Sequence, residues 1–234
     1  MKGKPRTLFI DADDTLWENN IYYERVIDKF VDVMADQGMS KPKVIQTLRE
    51  MESSNIKKMG YGSISFSRSV KETVTEFIEE MDVGKAEKIL HKVEALLLEV
   101  VNHPMILMPG VQGTLPRLVK HNFTVLLTKG HPDEQKRKLE KSGLGEYFDK
   151  VKIVSEKDAE VYRKILKELK LDPKNCWMVG NSPRSDINPA KAAGMGTVFI
   201  PYHTTWHHEM EEFNPGGRET IFLDSFSELA KFFE

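Results

Sequence analysis

Leu8-Phe9-Ile10-Asp11-Ala12-Asp13-Asp14-Thr15-Leu16 is the stretch that decides how this chain reads. A short apolar run leads straight into three carboxylates within four positions. A run of this length, without polar alternation, fits a strand buried on both faces. Crowded like charges disfavour ionisation unless something positive neutralises them. A divalent cation is the usual answer, and a hard ion such as Mg²⁺ takes oxygen ligands. The stretch therefore reads as a metal site at the end of a strand, with a carboxylate left to act as nucleophile.

Working outward, the run at 7–10 is matched by others at 123–127, 151–154, 176–179, 197–200 and 220–223. Helical patterns separate most of them. One spans 132–142 with Gly143 just beyond it; a second, 158–169, spaces Val161, Ile165, Leu166 and Leu169 along one face; a third, 186–193, stops at Gly194. Strand and helix in alternation predict an α/β fold, a Rossmann-like doubly wound parallel sheet. Residues 19–103 break that rhythm. They hold no convincing strand but four helical stretches, at about 21–37, 41–57, 65–80 and 85–101. Breaks fall at Gly38, at Gly60-Tyr61-Gly62 and at Val83-Gly84. Ile89, Val93, Leu96, Leu97 and Val100 form an apolar stripe that suits a bundle core. The expected organisation is an α/β core from 1–17 and 104–234, with an α-helical module, 18–103, inserted after the first strand.

Composition narrows the function. The 234 residues carry a net charge of -2 and no basic block, which argues against a nucleic-acid partner. No apolar run approaches the roughly 18 residues of a membrane span. A single cysteine, Cys176, excludes an internal disulfide framework. Three apolar residues ahead of the acids do not make a signal peptide, so a cytoplasmic location is expected. His203 and His207 have a spacing that binds zinc on a helix face, but no cysteine or further histidine nearby completes a set. That segment reads as surface. Nothing in the sequence bears on oligomeric state.

Ligands of open parallel sheets lie outside the carboxyl ends of the strands. Those ends offer Asp11–Thr15, Thr128-Lys129-Gly130, the region of Lys157, and Gly180-Asn181-Ser182-Pro183-Arg184-Ser185-Asp186. Carboxylates, a hydroxyl and an ammonium suit phosphoryl transfer, where a protein mainly positions the group and neutralises its oxygens. These residues, in this order, resemble the four motifs of the haloacid dehalogenase-like hydrolase superfamily, phosphatase branch. Asp11-Ala12-Asp13-Asp14-Thr15 resembles the first motif and Leu126-Leu127-Thr128 the second. Lys157, ahead of a helix bearing Tyr162, resembles the third; Val179-Gly180-Asn181 through Asp186, followed by Ala192-Ala193-Gly194, resembles the fourth. The helical insert resembles the type-one cap of that family.

The resemblance implies a set of roles. Asp11 is the nucleophile that forms an aspartyl-phosphate. Asp13 is the general acid and then the general base, with its carbonyl on Mg²⁺. Thr128 holds phosphoryl oxygens, and Lys129 and Gly130 line the phosphate pocket by side chain or by backbone N–H. Lys157 balances charge, and Asp186, Asn181 and Asp11 complete the metal site. An acidic residue at position 13 favours phosphate esters over haloacids. The implied activity is Mg²⁺-dependent hydrolysis of a small phosphorylated metabolite; the alternatives are a phosphosugar mutase on the same core and a catalytically weak phosphometabolite-binding protein. Two positions depart from the pattern. Asn181 stands where the fourth motif usually has Asp, and Lys157 lacks the usual following Pro. Lys152 rivals Lys157, although it lies within a predicted strand. Asp14 is read equally as a cap of the outgoing chain and as part of the metal site, and Lys129 equally as a phosphate contact and as a solvated side chain.

Overall fold

In a computed structural model of the chain, residues 6–78, 83–204 and 206–234 are described. The decisive apolar run is β1, Arg6–Ile10, with Leu8, Phe9 and Ile10 sealed from solvent. Four helices follow: α1 (Asn20–Ala35), α2 (Lys41–Met59), α3 (Ser63–Ile78) and α4 (Val83–Val101). The chain then alternates through α5 (Val111–Leu118), β2 (Asn122–Lys129), α6 (Pro132–Ser142), β3 (Lys150–Val154), α7 (Ala159–Glu168) and β4 (Cys176–Gly180). It finishes with α8 (Asn188–Ala192), β5 (Gly196–Phe199), β6 (Thr220–Phe222) and α9 (Ala230–Phe233). All six strands are parallel, in the order β3-β2-β1-β4-β5-β6. This is the doubly wound arrangement, and the strand order reverses at β1.

Two compact units make up the chain, one from its two ends, up to Asn20 and from Met105 onward, the other Ile21–Pro104. In the first, strand alternation sends side chains to opposite faces. Leu8, Ile10, Leu126 and Val179 pack with Val111, Leu115 and Leu118 of α5. Phe9, Val125, Leu127 and Met178 pack with Tyr162, Ile165 and Leu166 of α7. The second unit has its own core, in which Phe30, Met34, Val70, Val74, Ile89 and Val93 meet. A polar seam runs beside it: the buried Asn55 amide donates to Ser69 Oγ at 3.2 Å and to Glu72 at 2.7 Å.

Three sequence expectations need correction. Val83-Gly84 is not a break but the first turn of α4; residue 80, the expected end of the third helix, lies outside the described residues. The helix α5 is absent from the helical stretches read in the sequence; it contains Gly113 and Pro116, and burial of Val111, Leu115 and Leu118 outweighs their poor propensity. The helix read at 186–193 begins instead with a wide π-helical turn, Pro183–Ile187, for which the site supplies the reason. Among the described residues, no helix is long and apolar enough to cross a membrane.

Candidate active site

Register brings the motifs to one edge. Ile10 lies beside Leu126 of β2 and Val179 of β4, so Asp11, Thr128 and Gly180-Asn181 all emerge at the carboxyl end of the sheet. The Asp11 amide extends the ladder, donating to the Val179 carbonyl at 2.9 Å. Beyond β4 the chain turns over on itself. Ser182 caps the turn, its hydroxyl accepting from the Ser185 amide at 2.9 Å, while its carbonyl takes the amides of Asp186 and Ile187. Widening the turn in this way, as π-helical turns at functional sites do, swings Asp186 back over the strand end. There Asp186 Oδ2 accepts from the Ser182 amide at 3.0 Å. A Cβ on residue 180 would sit 2.2 Å from that oxygen, so only glycine lets the carboxylate fold down.

Lys157, at the β3–α7 connection, is buried with its ammonium between two carboxylates. It bonds Asp11 Oδ1 and, at 2.8 Å, Asp186 Oδ1. Lys152 points elsewhere and pairs with Glu168 at 2.6 Å in a solvent-facing bridge. Burial, reinforced by the Asp186 charge and only partly countered by Lys157, pushes the Asp11 carboxyl up to about 7. Burial also raises Asp186, against the pull of Lys157. For Lys157 burial works against the charge, but Asp11 and Asp186 outweigh it and hold the ammonium more firmly protonated than usual. The site thus carries more negative charge than one ammonium balances. The Thr15 hydroxyl stands 3.2 Å from both Asp11 Oδ2 and Asn181 Oδ1, with one proton for two acceptors.

Asp13 is held differently. The indole N–H of Trp17 donates to Oδ1 at 2.7 Å and Gln135 Nε2 to Oδ2 at 2.9 Å. Lys138 reaches both oxygens, at 3.1 and 3.0 Å, and also Asn19 Oδ1 at 2.7 Å. Burial opposes ionisation of Asp13, yet Lys138, Gln135 and Trp17 more than offset it and keep the carboxyl below its ordinary value. Asp14 adopts a left-handed conformation, φ 62°. Its carboxylate accepts from the amides of Asn19 and Asn20 at 2.8 and 3.0 Å, which is the capping alternative. Its pKa rises to about 8, from burial first and the Asp13 charge second.

The sequence model of the haloacid dehalogenase-like hydrolase family matches residues 5–194. The chain belongs to the haloacid dehalogenase-like hydrolases. A glyceraldehyde 3-phosphate phosphatase of Pyrococcus furiosus is 35% identical over 100 residues, 40% of this chain and 42% of that one. This chain therefore spans less than half the length of that relative. A glyceraldehyde 3-phosphate phosphatase of Methanothermobacter thermautotrophicus is 25% identical over 235 residues, 96% and 97% of the two chains. Among solved structures, a haloacid dehalogenase-like family hydrolase from Xanthomonas campestris superposes with a TM-score of 0.78 at 24% identity, covering 97% of this chain and 93% of its own.

In this haloacid dehalogenase-like hydrolase the structure brings Asp11, Asp13, Thr128, Lys157, Asn181 and Asp186 together through the contacts above; the Thr128 hydroxyl donates to Gln135 Oε1 at 3.3 Å. Two residues fall differently from expectation. The Gly130 amide, expected in the phosphate pocket, donates to the Val154 carbonyl at 3.0 Å, because the chain carries on the ladder to β3. The Lys129 ammonium is not solvated: it bonds Ser185 Oγ at 2.9 Å and pairs with Glu209. Glu209 also takes the hydroxyls of Ser182 and, at 2.5 Å, Ser185. Burial works against its charge, but Lys129 and the two serines hold it ionised, below the usual glutamate value. Glu209, Gln135 and Lys138 are the residues that sequence reasoning missed. The one signal for the last two is that α6 buries Glu134, Gln135 and Lys138 where a packed helix would show apolar residues. Trp17 is buried in the core and is also an Asp13 donor.

The donor set fits a hard cation. Asp11 Oδ2, the Asn181 amide oxygen, Asp186 and the Asp13 carbonyl are all oxygens. Two of them share one hydroxyl proton, and burial of Asp11 beside Asp186 calls for further positive charge. No three His, Cys, Asp or Glu side chains cluster as metal ligands among the described residues.

Proposed function

We propose that the chain is a Mg²⁺-dependent phosphatase acting on a small phosphorylated metabolite through an aspartyl-phosphate. The observation that carries this reading is the pairing at the end of β1: Asp11 held by Lys157 and Thr15, and, two residues on, Asp13 held separately by Lys138, Gln135 and Trp17. This separate holding supports a reading in which one carboxylate attacks and the other transfers protons.

Asp11 attacks phosphorus in line, and the bond to the leaving oxygen breaks. Asp13, through the minor protonated fraction that Lys138, Gln135 and Trp17 leave it, gives that oxygen its proton. Asp13 then takes a proton from water as the water attacks the aspartyl-phosphate, releasing phosphate and restoring the Asp11 carboxylate. Thr128 holds a phosphoryl oxygen, and Lys157 offsets the charge of the group. Asp11, the Asp13 carbonyl, Asn181 and Asp186 would hold Mg²⁺, which would supply electrostatic stabilisation of the transferring group. The helical unit, Ile21–Pro104, is proposed as the cap that selects the substrate. The names of the relatives make glyceraldehyde 3-phosphate the first metabolite to test. A cytoplasmic setting is part of this reading; the single cysteine, Cys176, is buried and can form no internal disulfide.

The test is hydrolysis of p-nitrophenyl phosphate with Mg²⁺ and with EDTA, alongside Asp11→Asn. Metal-dependent release that Asp11→Asn lacks is the expected result. Equal background from both proteins, unchanged by Asn181→Asp, refutes the phosphatase reading. Recovery with Asn181→Asp alone points instead to a phosphometabolite-binding protein with a weakened metal site.

A further inference from the structure

We infer that Gln135, on α6, is a positioning residue that fixes the Asp13 carboxylate in register with Thr128, so that proton delivery to the leaving oxygen depends on it. This inference rests on the phosphatase reading above.

The side-chain amide of Gln135 touches both motifs. Its Nε2 donates to Asp13 Oδ2 at 2.9 Å and to the Lys129 carbonyl at 3.2 Å. Its Oε1 accepts from the Thr128 hydroxyl at 3.3 Å. The residue is 4% exposed, so these bonds have little competition from water. Gly130 closes the box: φ is 139°, and a Cβ there would come within 3.0 Å of the Gln135 amide nitrogen. The helix is pinned at the same point, since the Gln135 backbone amide donates to the His131 carbonyl at 3.0 Å. One turn further on, Lys138 reaches both oxygens of the same carboxylate. A buried amide whose three side-chain bonds reach the acid-base residue, the phosphoryl-binding hydroxyl and the backbone between them fixes a distance; it adds little to packing. Misplacing an acid by about 1 Å can cost ~100-fold in rate.

A leaving group that is a weak base needs little help from an acid, whereas a strongly basic one needs a proton as its bond breaks. Phenyl phosphate and p-nitrophenyl phosphate differ little in shape, but phenolate is the stronger base. The measurement is kcat/KM for both esters with Mg²⁺, which reports the steps up to transfer of the phosphoryl group to Asp11. Gln135→Met keeps the length and removes the amide. The expected result is a loss of about 10- to 100-fold on phenyl phosphate and less than about 3-fold on p-nitrophenyl phosphate, with the thermal midpoint near that of the wild type. If Gln135→Met does not fold, Gln135→Asn, which withdraws the amide by one methylene, carries the same comparison. An active wild type whose variant is slowed equally on both esters, or on neither, overturns the inference alone. A wild type that turns over neither ester removes the phosphatase reading and the inference together.

Discussion

Replacing Lys157 by methionine strands two carboxylates at once, which makes it the sharpest test of how this site is held together. The ammonium and its partners are almost out of solvent, with side-chain exposures of 2% for Lys157, 9% for Asp11 and 1% for Asp186. Removing one partner of a buried ion pair costs about 3–5 kcal/mol, because the other charge is left uncompensated. The stranded carboxylates can escape only by taking protons, so the cost depends on pH. A carboxylate whose folded pKa lies above its unfolded value contributes most stability at low pH, and the contribution fades as pH rises through the folded pKa. In the intact protein Asp11 already behaves this way, with its pKa raised from 3.8 to about 7. At about 1.36 kcal/mol per pH unit, that interval of roughly 3 units corresponds to about 4 kcal/mol lost between acid and neutral pH in the absence of a divalent ion. In Lys157→Met both Asp11 and Asp186 are pushed higher, and the loss continues beyond neutrality. Urea unfolding in EDTA should therefore show Lys157→Met weaker than the wild type by about 3–5 kcal/mol near about pH 8, and by only about 1–2 kcal/mol near about pH 5. A gap below about 1 kcal/mol, or one of equal size at both pH values, would refute the claim that Lys157 neutralises two desolvated carboxylates.

Other outcomes follow from the same reasoning. Lys152→Met removes a solvent-facing bridge to Glu168 and should cost less than about 1 kcal/mol and leave turnover unchanged; a large fall in turnover would transfer the charge-balancing role to Lys152. Gly180→Ala should cut turnover at least about 10-fold, since the new methyl group displaces the Asp186 carboxylate, and wild-type rates in that variant would show that Asp186 need not lie over the strand end. In the helical unit, burial and then the nearby Glu24 charge raise Glu52 from 4.5 to about 7, so its penalty appears as pH rises through that range. Glu52→Gln should accordingly stabilise the protein by up to about 3 kcal/mol near about pH 8 and hardly at all near about pH 4, and thermal melts with unchanged pH dependence would contradict this.

Much of the fold was written locally. Six apolar runs without alternation became six parallel strands, because a sheet covered on both faces needs little else from the sequence. Pro132–Ser142 was bounded by its proline and Gly143, signals that act within a few residues of where they stand. The four motifs were legible for the same reason: each sits at or just beyond the carboxyl end of its own strand. Three things were decided only by packing. The helix α5 forms despite Gly113 and Pro116, through apolar burial against distant strands. The choice between Lys157 and Lys152 depends on which one the β3–α7 connection carries inward to meet Asp11, 146 positions away. The surroundings of Asp13 and Lys129 come from Gln135, Lys138 and Glu209, and the sequence gives no reason to join Glu209 to Lys129 across 80 positions. Periodicity and turn chemistry are short-range and can be read along the chain. Desolvation and ion pairing act through space and exist only once the sheet has brought its strand ends together.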